Sequence, residues 1–307
     1  MSKKSYKEII SSLERQNYKF DYYNSETVGN YLPEDADWNY KDIEHPKLVH
    51  SDFSAIPTYI SKDMACSINL QRIPLIGITL PLLIVNYEYS KFNQTYYTSF
   101  GPYIIFIDTN IKKIETDKTI VKTKYAVGSK SIFKFLHGLI GKILLKNYKK
   151  LMTEDTPMRD RKGKLRKIGH HFFSPNDTYP FNYSEQISES NVYLLNGEKN
   201  TIEINKNDIL KSQNGNTIGE KIGVLSFFIS NDENKINLWP STCSHEGAEL
   251  SLKCIKRERI FCPWHNRISM PIVIMDKLNQ NLKININKDY EVIDEEEKLK
   301  IIYKNIK

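Results

Sequence analysis

The chain has 307 residues and a mass of 35.9 kDa, room for two domains of ordinary size. Its 44 basic and 37 acidic residues leave a net charge of +7 spread along the length, without the dense basic runs of a nucleic-acid binder. A hydrophobic content of 40% with 11% aromatics excludes a disordered chain. The longest uncharged stretch, Ile73 to Tyr87, is broken by Pro74, Gly77 and Pro81 and is too short to span a membrane.

The opening MSKKSYKEIISSLERQ carries charges where a signal peptide needs its apolar region, which predicts an unexported, cytoplasmic protein. Within it Tyr6, Ile9, Ile10 and Leu13 have helical spacing. Further on, Asp42-Ile43-Glu44-His45-Pro46-Lys47-Leu48-Val49-His50 sets two imidazoles five residues apart, with an acid three residues before the first. On a regular helix that pair would diverge by about 140°. Pro46 disfavours helix at His45, so a helix beginning at Pro46 would leave His45 in the preceding turn, able to swing toward His50. The alternative is two ordinary surface histidines near a helix start, with Asp42 a solvated acid.

Four β-like segments follow, at 79–89, 95–100, 103–108 and 118–127. Tyr87, Tyr89, Tyr96, Tyr97 and Tyr103 fall in or beside them, and alternation sends about half of such residues to each face. From Ser131 to Met152 the apolar positions Ile132, Leu136, Leu139, Ile140, Ile143, Leu144 and Leu151 predict one long amphipathic helix, with His137 on its polar face. Asp155 lies four residues past Leu151, on the apolar face, while Glu154 would face elsewhere. Pro157 predicts a break or restart of the helix, and Asp155-Thr156-Pro157 also reads as a cap. Arg159 to Lys167 reads as a solvated basic face, His170-His171 as the end of an element, and 174–190 as a linker between domains at 1–185 and 186–307.

Beyond the linker the runs 192–195, 201–204, 224–228, 259–262 and 271–276 are short and separated by Asn, Gly, Asp and Lys, as in a small antiparallel sandwich. Of the four cysteines, Cys66 reads as buried and inert, and Cys243, Cys254 and Cys262 lie within twenty residues of one another. Without a secretion signal such crowding points to metal or redox chemistry. Cys243-Ser244-His245 and Cys262-Pro263-Trp264-His265 form a C-x-H pair and a C-x-x-H pair. A single spacer suits a zinc knuckle poorly and suits a bimetallic cluster, two thiolates on one iron and two imidazoles on the other. A zinc ribbon is the bland alternative.

This motif resembles that of Rieske [2Fe–2S] proteins, over about 190–307. Respiratory members carry an additional cysteine in each loop. Here those positions are Ala248 and Trp264, so no shielding disulfide forms, and the resemblance implies a low-potential cluster at about −150 mV. Cys254 reads as a small buried hydrophobe. The N-terminal half, strands followed by one long helix, reads by pattern as α+β. It resembles the helix-grip catalytic domain of Rieske non-haem iron oxygenases, although most members place the Rieske domain first. The resemblance implies a mononuclear Fe(II) held by His45, His50 and Asp155, Glu154 being the runner-up to Asp155, with Asp42 as an acidic bridge to the cluster. It implies electrons from a ferredoxin or flavin reductase, an apolar small-molecule substrate with O₂, and a homotrimer. The Arg159 to Lys167 segment could then dock an acidic carrier, and the N-terminal helix could help cover the substrate. Two rivals remain: a Rieske electron-transfer protein fused to a lipid- or metabolite-binding helix-grip domain, and a zinc-bound structural module in an interaction protein.

Overall fold

The computed structural model describes residues 6–43, 45–50, 53–61, 64–72, 77, 79–167, 200–220 and 222–304. The chain divides into two compact units, the first ending at Gly163 among these residues. The segment 192–195, His170-His171, the linker and the domain boundary at 185/186 lie outside the described residues.

In the first unit, helix α1 (Tyr6–Glu14), strand β1 (Tyr18–Gly29), helices α2 (Pro33–Lys41) and α3 (Pro46–Val49) precede six more strands. These are β2 (Phe53–Ile60), β3 (Met64–Arg72), β4 (Thr79–Ser90), β5 (Asn93–Phe100), β6 (Tyr103–Glu115) and β7 (Lys118–Lys130). A 3₁₀ turn (Ser131–Leu136) leads into helix α4 (His137–Lys167). The strands form one sheet in the order β1-β7-β6-β5-β4-β3-β2, every neighbouring pair antiparallel. Period-two alternation gives β6 two apolar faces. Ile105 and Ile107 meet Ile140 and Leu144 of α4, whereas Ile104 and Phe106 meet Tyr6 and Ile10 of α1. The sheet thus grips α4 on one side, a helix-grip fold, and α1 packs on the opposite side. The N-terminal helix therefore does not cover the space beside α4, contrary to the expectation above, because its partners Phe106 and Ala126 face away from it.

Other sequence expectations need correction. The long helix runs unbroken through Pro157, whose missing N–H removes one backbone bond while the residue itself faces solvent. Buried Met158, Arg159, Lys162 and Leu165 hold the helix on past it. Arg159 and Lys162 are fully buried, so the basic segment is not a solvated face at those positions. Lys162 Nζ sits 3.4 Å above the Trp38 ring. His137 is buried, not on a polar face, because Ser129 Oγ (2.8 Å) and Asp21 Oδ2 (3.2 Å) satisfy both ring nitrogens. Cys66 and Cys254 are half-buried, and all four cysteines are free thiols.

The second unit is all-β apart from short helical turns. Its strands are β8 (Thr201–Asn205), β9 (Thr217–Gly219), β10 (Ser226–Asn231), β11 (Lys235–Pro240), β12 (Ile255–Lys256), β13 (Arg259–Phe261), β14 (Ile268–Ser269), β15 (Val273–Asp276), β16 (Leu282–Ile284), β17 (Tyr290–Asp294) and β18 (Lys298–Tyr303). They form sheets in the orders β16-β15-β11-β10-β9, β12-β13-β14 and β17-β18-β8, around a core that includes Phe227, Ile229, Leu238, Val273, Leu299 and Ile301. Among the described residues no helix is long and apolar enough to cross a membrane.

One close approach fixes α4 on the first unit. A Cβ built on Gly163 would lie 2.6 Å from the Asn30 carbonyl and 3.1 Å from Tyr31 Cα, both backbone atoms. Gly163→Ala should therefore lower the urea midpoint. Forced backbone shifts cost about 1–3 kcal/mol, against the roughly 1 kcal/mol that Ala adds over Gly in a helix.

Candidate metal centres and cavity

Helix α2 ends at Lys41, and the Asp42 N–H still bonds to the Trp38 carbonyl at 2.9 Å. Beyond it Pro46 starts α3, a helix of four residues with His45 at its N-cap and His50 at its C-cap. Because the two histidines bracket this turn, their rings converge, with centroids 5.3 Å apart. From the far end of the sheet, α4 delivers Asp155 between them. Asp155 Oδ1 lies 3.6 Å from His45 Nε2 and 3.4 Å from His50 Nε2. Donor atoms of the three residues fall within 4.8 Å of one another, all buried.

The surroundings decide which nitrogens face inward. Glu154 Oε2 lies 2.6 Å from His50 Nδ1, so that nitrogen is the donor and Nε2 presents its lone pair to Asp155. Glu154 thus faces the site through His50, correcting the expectation that it points elsewhere; α4 turns at this level so that neighbouring residues meet opposite sides of one imidazole. His45 Nδ1 faces Asp42 Oδ2 at 3.4 Å, and its Nε2 lies 3.5 Å from Asn39 Nδ2. Asn39 Oδ1 accepts from Arg159 Nε at 2.7 Å, which turns its NH₂ toward His45 and makes His45 Nε2 an acceptor too. Arg159 Nη2 stands 3.6 Å from Asp155 Oδ2, and its guanidinium lies 4.6 Å from the Tyr40 ring centre.

Two imidazole lone pairs and a carboxylate oxygen therefore meet in a buried space, and Asp155 Oδ1 accepts no hydrogen bond there. Two His with one carboxylate make a set that fits a divalent transition metal. Burial pulls His45 down, but Asp155 and Asp42 outweigh it and hold the imidazole up at about 9. Burial would push the Asp155 carboxyl up, yet His45, Arg159 and His50 together hold it below its ordinary value.

The same residues close one end of a cavity of about 340 Å³ between the sheet and α4. Its helix wall is largely apolar, with Ile140, Ile143, Leu144, Leu151 and Met152. Of the five tyrosines singled out in the strands, Tyr96 lines it; Tyr40, Tyr125 and Tyr148 do so as well.

In the second unit two loops share one backbone design. The Cys243 N–H bonds to the Ala248 carbonyl and the Gly247 N–H returns to the Cys243 carbonyl, both at 2.8 Å. The Cys262 N–H bonds to the Arg267 carbonyl and the Asn266 N–H to the Cys262 carbonyl, again at 2.8 Å. In each, the fourth residue after the cysteine has positive φ, Gly247 at 84° and Asn266 at 56°. The second loop is the tip of the β13–β14 hairpin. The loops bring Cys243 and Cys262 together as buried, hydrogen-bonded thiols. The half-buried rings of His245 and His265 meet edge-on at 4.9 Å. Cys243 and its thiol hydrogen bond, aided by the His265 contacts, lower Cys262 to about 5 against the effect of burial. The same partner and burial push Cys243 well up. Two buried sulfurs and the buried Nδ1 atoms of two imidazoles make a donor set that fits a two-iron cluster. Ala248 and Trp264 are buried beside it and leave no cysteine available for a bridge.

Comparison with protein families bears on this half. Residues 199–268 match the family model described as the Rieske [2Fe-2S] domain. The chain therefore carries a Rieske domain, which implies a [2Fe–2S] cluster and an electron-transfer role. Comparison with curated proteins finds no match. Among solved structures, the di-domain ARO/CYC BexL is similar at 7% identity over 46% of this chain and 49% of its own, with a TM-score of 0.38. The chain thus spans about half the length of that protein. A protein from Thermus thermophilus is 15% identical over 45% of this chain and 95% of its own, TM-score 0.38. A START superfamily protein from Mycobacterium smegmatis is 12% identical over 42% and 93%, TM-score 0.36.

Sequence reasoning singled out neither Asn39 nor the burial of Arg159, and it placed Glu154 away from the site. The Asp155–Arg159 spacing of four residues was the one available signal, since such pairs share a helix face. Cys262→Ala should abolish the visible absorption of the purified protein by removing one thiolate of the two-iron cluster, read directly by its spectrum.

Proposed function

We propose that the chain is a Rieske-type non-haem iron oxygenase acting on an apolar small molecule. The reading gives a [2Fe–2S] cluster to Cys243, His245, Cys262 and His265 and a mononuclear Fe(II) to His45, His50 and Asp155. It divides the chain at 185/186. Support comes above all from the convergence of three buried acceptor atoms at one end of an apolar cavity. When bound, the cluster supplies single electrons from a ferredoxin or flavin reductase, and the iron supplies O₂ activation.

The chain's own groups divide the remaining work. Glu154 holds the Nδ1 proton of His50, fixing the tautomer in which Nε2 faces inward, and the Asp42 carboxylate stands behind His45 Nδ1 at 3.4 Å. Asp42 also matches the position of the family's acidic bridge, and a homotrimer belongs to the same reading. Arg159 neutralises the outer oxygen of Asp155 and leaves Oδ1 directed inward. Ile140, Ile143, Leu144 and Leu151 line the space beside it with apolar surface.

The rival, an electron-transfer protein fused to a ligand-binding helix-grip domain, accounts equally for the Rieske match and the cavity. It gives no reason for the acceptor set. Iron analysis of anaerobically purified protein separates the two readings: the oxygenase requires three irons per chain, the carrier two. His45→Ala and Asp155→Ala should each reduce the count by one and abolish O₂-dependent turnover while the cluster's absorption persists. Glu154→Ala should weaken Fe(II) or Co(II) binding about 10- to 100-fold, the usual effect of removing a group that orients a ligand imidazole. Unchanged affinity would exclude that role.

A further inference from the structure

We propose that Asn86 recognises the substrate by accepting a hydrogen bond from a hydroxyl group on an otherwise apolar, uncharged molecule. This deepens the oxygenase reading and rests on it in taking the cavity as the substrate site.

The directions of the surrounding hydrogen bonds carry the assignment. Asn86 lies on β4, is 3% exposed and lines the cavity. Its Nδ2 donates to the Tyr40 carbonyl at 3.3 Å and to Gln94 Oε1 at 3.2 Å. A backbone carbonyl only accepts, so the NH₂ must lie on that side and Oδ1 on the other. Gln94 is oriented independently, because its Nε2 donates at 2.6 Å to Asp37 Oδ1, whose second oxygen lies 2.6 Å from the Lys41 ammonium. The Tyr96 hydroxyl, 2.6 Å from the Tyr40 carbonyl, also lies 3.4 Å from Gln94 Oε1. Each bond leaves one orientation for the next, and the series ends on Asn86 Oδ1. That atom is buried and makes no hydrogen bond within the described chain. An amide oxygen only accepts, so the complementary group must be a donor.

Thr109 and Thr123, cross-strand neighbours on β6 and β7, line the same cavity with buried hydroxyls that also make no hydrogen bond. A threonine hydroxyl donates or accepts, and a ligand hydroxyl, donor and acceptor at once, suits both these side chains and the amide oxygen. Among the described lining residues the formally charged groups belong to the metal set, Asp42, His45, His50 and Asp155. Away from that set, a carboxylate or ammonium on the ligand would therefore be buried without a counter-charge. Asn86 bonds the carbonyl of Tyr40, and the adjacent Asn39 is 3.5 Å from His45 Nε2.

Fluorescence titration of the full-length protein with 2-naphthol, 2-methoxynaphthalene and 2-naphthoate tests the assignment. The naphthol should bind about tenfold more tightly than the ether, which accepts but cannot donate. The carboxylate should bind more weakly than either. In Asn86→Ala the preference for the naphthol over the ether should disappear. Equal binding of naphthol and ether by the wild type, binding of none of the three, or survival of the preference in Asn86→Ala would each overturn the proposal. The wild-type ratio needs no variant, so a poorly folded Asn86→Ala does not weaken the test. Titrating His45→Ala in parallel separates the two readings: if the oxygenase assignment fails, the iron count falls short while the binding preference remains.

Discussion

A carboxylate oxygen directed at two imidazole lone pairs inside a protein is electrostatically unfavourable unless something positive lies among them. Asp155 Oδ1, His45 Nε2 and His50 Nε2 stand in that relation, and much of the first unit serves to maintain it. The short helix between the histidines turns their rings together, α4 carries the aspartate across the sheet, and Arg159 balances its outer oxygen. Buried charges survive when they are paired, and here the pairing has layers. Asp42 and Glu154 stand behind the histidines as Arg159 stands behind the aspartate.

A second buried polar system lies beside the first. Lys41 joins Asp37 and Glu88, and Gln94 passes the orientation on to Asn86. Such a network costs desolvation and returns directionality, since each member has one arrangement that satisfies its neighbours. In the proposed reading the His45, His50 and Asp155 set gives the cavity its chemistry, and the amide series gives it a preferred ligand group. Both depend on α2, whose residues Asp37, Asn39 and Lys41 are buried despite being polar. In sequence a helix of such composition looks like an ordinary surface helix; buried, it ties the two systems together.

The second unit uses different means. Its cysteine loops owe their shape to backbone bonds and to residues at positive φ, with small strands as supports. That economy explains why a short motif identifies the domain: the ligand spacing and the turn chemistry are local.

The sequence by itself determined the cluster motif, the absence of bridging cysteines, the long helix beside a set of strands, and the five-residue spacing of His45 and His50. These features are written in spacing, and spacing survives without tertiary context. It could not determine that Glu154 meets His50, that Arg159 is buried behind Asp155, that His137 is a satisfied interior histidine, or that the helix continues through Pro157. Strands β1, β2 and β3 were also not read, because their polar and apolar residues do not alternate cleanly. All of these depend on which surfaces meet once the sheet closes on α4. A charged side chain reads as solvated until its partners arrive from more than a hundred residues away, as Asn39 does for Arg159.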